Sequence, residues 1–343
     1  MQKPWVLGVA LASLLFTSYS ACAAMSFEDF SQLEHLERVT LSNSEQDRLD
    51  VIYYRSSGKR PALVIIPGSL CAPIFASIGN TSNPELFATV PTFSEEARHD
   101  LDAHLVFLER RNIVSLKTLS SAPEFTIEQI FKHSPCSERN GGLTLEQRVN
   151  DSLVQIRWLK RQPWVASIHL IGLSEGSDVA AGIAASDGSL VDSLMLVGGA
   201  GPSQFSDFAA FARSKNNLDE VKAVFSDLDQ FLSGSPPPMY KGYNSKRWQS
   251  FAVEHSALDL LSKSNVPIFI AHGDQDENVP ISSADLAAIE LMRGQPHRPI
   301  FYWSVVGGSH MLKTPSGSRI NDIIATYLAW ATSDPSGRTF RAN

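Results

Sequence analysis

Cysteine is scarce in this chain: Cys22, Cys71 and Cys136 are the only three among 343 residues. No cysteine or histidine pair stands at the spacing of a zinc finger or zinc ribbon, so neither a structural zinc nor any other metal or cofactor is expected. Blocks rich in lysine and arginine are also missing. The balance of 29 Lys and Arg against 36 Asp and Glu leaves a formal charge of −7, which argues against nucleic acid as a partner. Internal repeats and low-complexity tracts are absent. After the first residues no apolar run is long enough to span a bilayer. What remains, 43% hydrophobic and 19% charged, is the balance of a globular chain long enough for one large core or two modest ones.

The N-terminus departs from that balance. Lys3 supplies a positive start, Trp5 to Phe16 is apolar, and Ala21-Cys22-Ala23 has the small residues of a cleavage site. Residues 1–24 therefore read as a secretory signal peptide, and residues 25–343 as the mature domain, secreted or periplasmic, with no stable membrane insertion. The alternatives are an uncleaved anchor, for which the apolar run is short, and lipidation at Cys22, although Tyr19 stands where such signals usually carry leucine. In an exported chain the remaining Cys71 and Cys136 are expected to pair. Closing that loop would stabilise the fold by roughly 4 kcal/mol in the chain-entropy account.

Along the mature chain, residues 25–36 suggest an amphipathic arm. Residues 38–41 and 49–54 suggest a hairpin, and Ala62 to Ile66 and His104 to Leu108 are unbroken apolar strands of the kind covered by helices on both faces. Residues 112–143 read as a long loop with a short helix near 126–132. A helix is predicted over 144–161, a strand over 166–171, a helix over 177–185 and a strand over 194–197. Between Gly201 and about residue 264 the alternation stops: Phe205, Phe208, Phe211, Leu218, Val221, Phe225, Leu228 and Leu232 recur at roughly helical spacing. This segment predicts a mostly helical cap inserted after the sixth strand, its aromatics forming a core of its own. Strands over 266–270 and 299–305 and helices over 282–293 and 318–330 complete an α/β chain with a mostly parallel sheet flanked by helices.

Three loops at the carboxyl ends of strands carry chemistry. Gly172-Leu173-Ser174-Glu175-Gly176 joins a buried-type strand directly to an Ala-rich helix, so Ser174 sits on a tight bend and projects above the sheet. Glu175 offers its backbone N–H at a helix start, where unpaired amides and the helix dipole favour a negative oxygen. Gly273-Asp274-Gln275-Asp276-Glu277-Asn278-Val279-Pro280 follows one later strand, and Gly308-Ser309-His310 follows the last. Ligands bind parallel sheets at this edge.

Together these three stretches resemble the α/β-hydrolase family, over nearly the whole mature chain. The resemblance implies a catalytic triad of Ser174 as nucleophile, Asp276 as acid and His310 as base. It implies an oxyanion site built from the Glu175 N–H and a second amide in Pro67-Gly68-Ser69-Leu70, at Ser69 or alternatively Leu70. The histidine that the family often carries in that loop is missing here, but a backbone donor needs no particular side chain. Asp274 is expected to cap its turn. His169, His255 and His272 are read as structural or surface histidines. The implied activity is hydrolysis of carboxylic esters through an acyl-enzyme. Gly-x-Ser-Glu-Gly elbows also resemble serine aminopeptidases and prolyl-oligopeptidase relatives, in which case Asp219, Glu220, Asp227, Asp229 or Glu254 of the cap would hold a substrate amine. A non-catalytic binding protein on the same fold is the remaining alternative.

Overall fold

The computed structural model describes residues 35–69, 72–78, 85–113, 117–119, 142–333, 335 and 337–343. The signal-type segment with Cys22, the N-terminal arm up to residue 34, Leu70, the expected short helix near 126–132 and the proposed Cys71–Cys136 bond lie outside the described residues, and Leu36, expected to end the arm, is instead the buried first residue of a strand.

Among the described residues nine strands form the central sheet: β1 (Leu36–Ser42), β2 (Arg48–Tyr54), β3 (Arg60–Ile66), β4 (His104–Leu108), β5 (Val165–Leu173), β6 (Ser193–Val197), β7 (Ile268–Gly273), β8 (Ile300–Val305) and β9 (Arg338–Ala342). Their spatial order is β1-β2-β4-β3-β5-β6-β7-β8-β9. β2 runs antiparallel to both neighbours, and every pairing from β4 to β9 is parallel.

Alternate residues of each inner strand enter different cores. Ala62, Val64 and Ile66 of β3 pack on one face with helices α2 (Leu145–Lys160) and α3 (Glu175–Asp187), and Leu63 and Ile65 pack on the other. Both faces are dry, so the strands read as continuous apolar runs rather than alternating ones. Helix α1 (Glu95–Asp100) and the C-terminal helix described below lie on the side of Leu63 and Ile65. Helix α2 begins at Thr144, whose hydroxyl accepts the Gln147 N–H while the Gln147 side chain accepts the Thr144 N–H. This reciprocal cap fixes the start that the apolar spacing suggested.

The chain between β6 and β7 holds α4 (Gln204–Ser214), α5 (Leu218–Leu232), α6 (Ser245–Trp248), which runs on as a wider turn over Gln249–Glu254, and α7 (Ala257–Ser262). β6 is the sixth strand of the main sheet in chain order. Phe205, Val224, Phe231, Tyr240, Trp248 and Ala252 of this segment make a separate small core. Helices α8 (Ile281–Gly294) and α9 (Ile320–Thr332) then flank β8, and β9 closes the sheet.

Candidate active site

The bend between β5 and α3 is sharp. Ser174 adopts φ 53° and ψ −122°, a conformation that L residues rarely hold and that persists only where packing over-determines it. The two glycines explain how. A Cβ on Gly172 would sit 2.5 Å from the Gly176 carbonyl oxygen, and one on Gly176 would collide with the carbonyls of Ile66 and Pro67. The elbow is therefore clamped against the end of β3, and the Gly68 loop lies directly on it: a Cβ there would be 3.1 Å from the Ser174 Cβ.

The acid and the histidine come from loops laced to one another. Asp274 N–H donates to the Val305 carbonyl at 3.1 Å, Gln275 N–H to that of Gly308 at 2.9 Å, and the Asp274 carboxylate accepts the Gly307 N–H at 2.7 Å. Asp274 thus caps the His310 loop rather than its own turn. Asp276 faces the imidazole: His310 Nδ1 lies 2.8 Å from Oδ2 and 3.0 Å from Oδ1. Oδ1 also accepts the N–H groups of Asn278 at 2.7 Å and Val279 at 2.9 Å. Although burial works against the charge, the His272 and His310 rings and then the Val279 N–H hold the carboxyl well below the usual carboxylate range.

His272 adds a contact that its position at a strand end did not reveal. Its wholly buried ring places Nε2 3.2 Å from Asp276 Oδ2 and 2.9 Å from the Val279 carbonyl. Both neighbours are acceptors, which assigns the proton to Nε2. His169 and His255 keep structural surroundings. His169 bonds the Ser167 and Ser193 hydroxyls at 2.8 Å each, and His255 pairs with Glu146.

Ser174, His310, Ser69 and Glu175 line one cavity of about 580 Å³. Among the described residues no hydrogen bond joins the Ser174 hydroxyl to the imidazole, a contact that commonly tightens only with substrate bound. Phe208, Tyr243, Trp248 and Phe251 of the segment between β6 and β7 form its apolar wall, with Lys241 beside them. Phe205 is instead buried in that segment's own core. None of Asp219, Glu220, Asp227, Asp229 or Glu254 lines the cavity. Besides Glu175, the acids that do are Asp178 of α3 and Asp207 of α4. Desolvation, with the charges of Glu175 and Asp207, pushes the Asp178 carboxyl up to about 7.

Burial raises the Asp207 carboxyl to about 6, the nearby Asp276 charge adding to the effect and the donating Ser283 hydroxyl opposing it. A carboxyl with its folded pKa above the unfolded one takes up a proton on folding, so stability falls as pH rises from about 4 to 6 and levels off above. Asp207→Asn keeps the Ser283 bond and removes the penalty. Thermal melts from pH 4 to 8 should show the variant gaining on the parent across that interval, by up to about 3 kcal/mol. A constant offset at every pH would refute the assignment.

Spacing alone did not single out the side-chain surroundings of Glu175. Its carboxylate is buried and meets three guanidinium groups: Arg148 and Arg247 in direct pairs and Arg110 at 3.6 Å. They hold it near 2 despite the cost of burial. The visible hint was Glu109-Arg110-Arg111, charged residues at the end of an apolar strand.

No protein-family model and no curated protein matches the sequence at a significant level. Solved structures do match. Est1E from Butyrivibrio proteoclasticus superposes with a TM-score of 0.52 at 13% identity, covering 87% of this chain and 99% of its own. The α/β hydrolase GrgF from Penicillium sp. sh18 gives 0.53 at 14%, covering 87% and 98%. A puromycin-hydrolysing peptidase from Mycobacterium tuberculosis gives 0.52 at 13%, covering 89% of this chain and 40% of that one. At such identities the likeness concerns architecture, and with the strand order and the elbow described above it shows that this chain has the α/β-hydrolase fold.

Proposed function

We propose that the protein is an exported serine hydrolase that cleaves carboxylic esters through an acyl-enzyme. The observation that carries this reading is the meeting, on the wall of one cavity, of Ser174 on its strained elbow and His310, with buried Asp276 bonded to the imidazole Nδ1. Ser174 Oγ attacks the acyl carbon as its proton passes to His310 Nε2. The carbonyl oxygen becomes an oxyanion facing the N–H groups of Glu175 and Ser69, each worth roughly 3 kcal/mol in the transition state. The protonated imidazole then gives its proton to the departing alcohol. Water, deprotonated by the same nitrogen, attacks the acyl-enzyme, and the proton returns to Ser174 as the acid leaves. Asp276 holds the proton on Nδ1 and steadies the imidazolium.

The segment between β6 and β7 acts as a cap over the acyl chain. Phe208 is the residue to change, because it lines the cavity and is only partly buried, whereas Trp248 also belongs to the cap's core. Phe208→Ala should shift chain-length preference by roughly 10-fold between short and long acyl esters, since a change of a few methylenes in an apolar pocket is worth about 1–3 kcal/mol. An equal loss on every ester would assign Phe208 to folding instead.

One observation favours a second reading. Asp178 and Asp207 face the cavity and could hold a substrate amine, as a peptidase acting on free N-termini requires. Assaying p-nitrophenyl esters of graded length beside aminoacyl amides separates the two. Turnover of neither class, together with no fluorophosphonate labelling, would leave a binding protein.

A further inference from the structure

Resting on the hydrolase reading, we infer that Arg110, Arg148 and Arg247, gathered around Glu175, are positioning residues that aim the two amide donors of the oxyanion site. Four side chains from separate parts of the chain meet here: the end of β4, the first turn of α2, helix α6 and the residue after the nucleophile. Each is at least nine-tenths buried. An ion cluster of this kind is expensive to bury, and a hydrophobic replacement would serve stability as well or better. Its contacts suggest another use.

Arg148 Nη2 donates to the Pro67 carbonyl at 2.8 Å, and Arg110 Nη2 donates to the Gly68 carbonyl. In a trans peptide the N–H points opposite to the C=O of the same unit. Holding the Gly68 carbonyl towards the buried arginines therefore turns the Ser69 N–H away from them, and Ser69 lies on the cavity wall. The same guanidinium groups grip Glu175, whose own N–H is the other donor. One cluster thus fixes the loop after β3 and the elbow relative to each other. Arg247 adds the cap: it pairs with Glu175 while packed against the rings of Tyr243, Trp248 and Phe251, and the Tyr243 hydroxyl donates to the Ser69 carbonyl at 3.5 Å.

Charge points the same way. Three guanidinium groups face the Glu175 carboxylate and, beside Arg110, the buried Glu109 carboxylate, which leaves an excess of about one positive charge, offset in part by Asp178. Among the described residues, buried Arg110 Nε and Arg247 Nη1 have no hydrogen-bond partner. Field from fixed, desolvated cations beside a developing oxyanion favours the transition state over the neutral ester.

The test compares Arg110→Gln and Arg110→Lys with the parent. The lysine variant keeps a charge near Glu175, but its ammonium ends one bond short of Nη2, the single atom by which Arg110 meets both Glu175 and the Gly68 carbonyl. Both should lower kcat about 100-fold with KM changed less than a few-fold. The inhibition constant of a trifluoromethyl ketone, whose tetrahedral adduct places an anionic oxygen at this site, should rise in proportion to the loss in kcat/KM. If the glutamine variant does not fold, the lysine variant carries the comparison alone. A fall in kcat/KM with unchanged ketone affinity, or no fall at all, would overturn the inference while leaving the hydrolase reading intact. Absence of labelling and turnover in the parent protein would instead sink the hydrolase reading itself.

Discussion

Ser174→Ala should reduce ester turnover by about 10⁶-fold and abolish fluorophosphonate labelling, the loss found when a serine nucleophile is removed from a working triad. The remaining rate would come from the oxyanion donors and from substrate binding, which the substitution does not touch. Stability should change by less than about 0.5 kcal/mol. The reason is local. The strained φ of 53° is imposed by the clamp of β5 and α3 on the end of β3, and alanine carries the same Cβ, so neither strain nor packing is altered. Among the described residues the hydroxyl makes no hydrogen bond whose loss would cost anything. Circular dichroism and thermal melts matched to the parent, beside a dead assay, are the expected pair of results. A variant that still hydrolyses esters would remove Ser174 from the mechanism and with it the proposed function.

The elbow was legible because every part of it is local. A strand, two glycines, a serine and an Ala-rich helix follow one another without a gap, and the collisions that the glycines avoid are short-range. Asp276 and His310 were legible for a related reason: in a parallel sheet, the loops after successive strands return to one edge, so strand order places them without knowledge of any contact. The inner strands announced themselves through unbroken apolar runs, the signature of two buried faces.

Other features depend on partners far away in the chain, and beyond the charged Glu109-Arg110-Arg111 at a strand end little in their own neighbourhood marks them. Strand β9 was missed because Arg338–Ala342 lies at the sheet edge, half polar, and its pairing with β8 is set by the return of helix α9. The arginines around Glu175 come from positions 110, 148 and 247, each of which reads alone as an ordinary surface cation. Only their convergence under the elbow gives them meaning. Acids of the segment between β6 and β7, such as Asp219 and Glu220, were attractive for substrate binding by composition. They lie in the first turn of α5, where negative side chains favour the helix start, and the cavity is served by Asp178 and Asp207.

Asp276→Asn should lower kcat by up to about 10⁴-fold, while Asp274→Asn should cost far less activity and show its loss mainly in stability. Hydrogen bonding decides the ranking. In Asp276→Asn the single amide oxygen is claimed by the N–H groups of Asn278 and Val279, which now bond Oδ1 at 2.7 and 2.9 Å. The amide NH₂ must then take the place of Oδ2, where it faces His310 Nδ1 at about the present 2.8 Å and the Nε2–H of His272 at about 3.2 Å. Facing a donor, His310 Nδ1 has to accept, which moves the ring proton to Nε2, the nitrogen that must take the proton of Ser174. Two donors, the new amide and His272, also oppose each other, so some stability is lost as well. Asp274 has no contact with the imidazole; its carboxylate holds the Gly307 N–H, and an asparagine oxygen can accept the same bond. Purified variants assayed on one ester should therefore rank parent, Asp274→Asn, Asp276→Asn in falling order, and proton NMR should show the downfield Nδ1–H signal of His310 lost only in Asp276→Asn. If Asp274→Asn proved the more damaging to kcat, the acid would have to be reassigned to Asp274 and the loop after β7 would have to move on substrate binding.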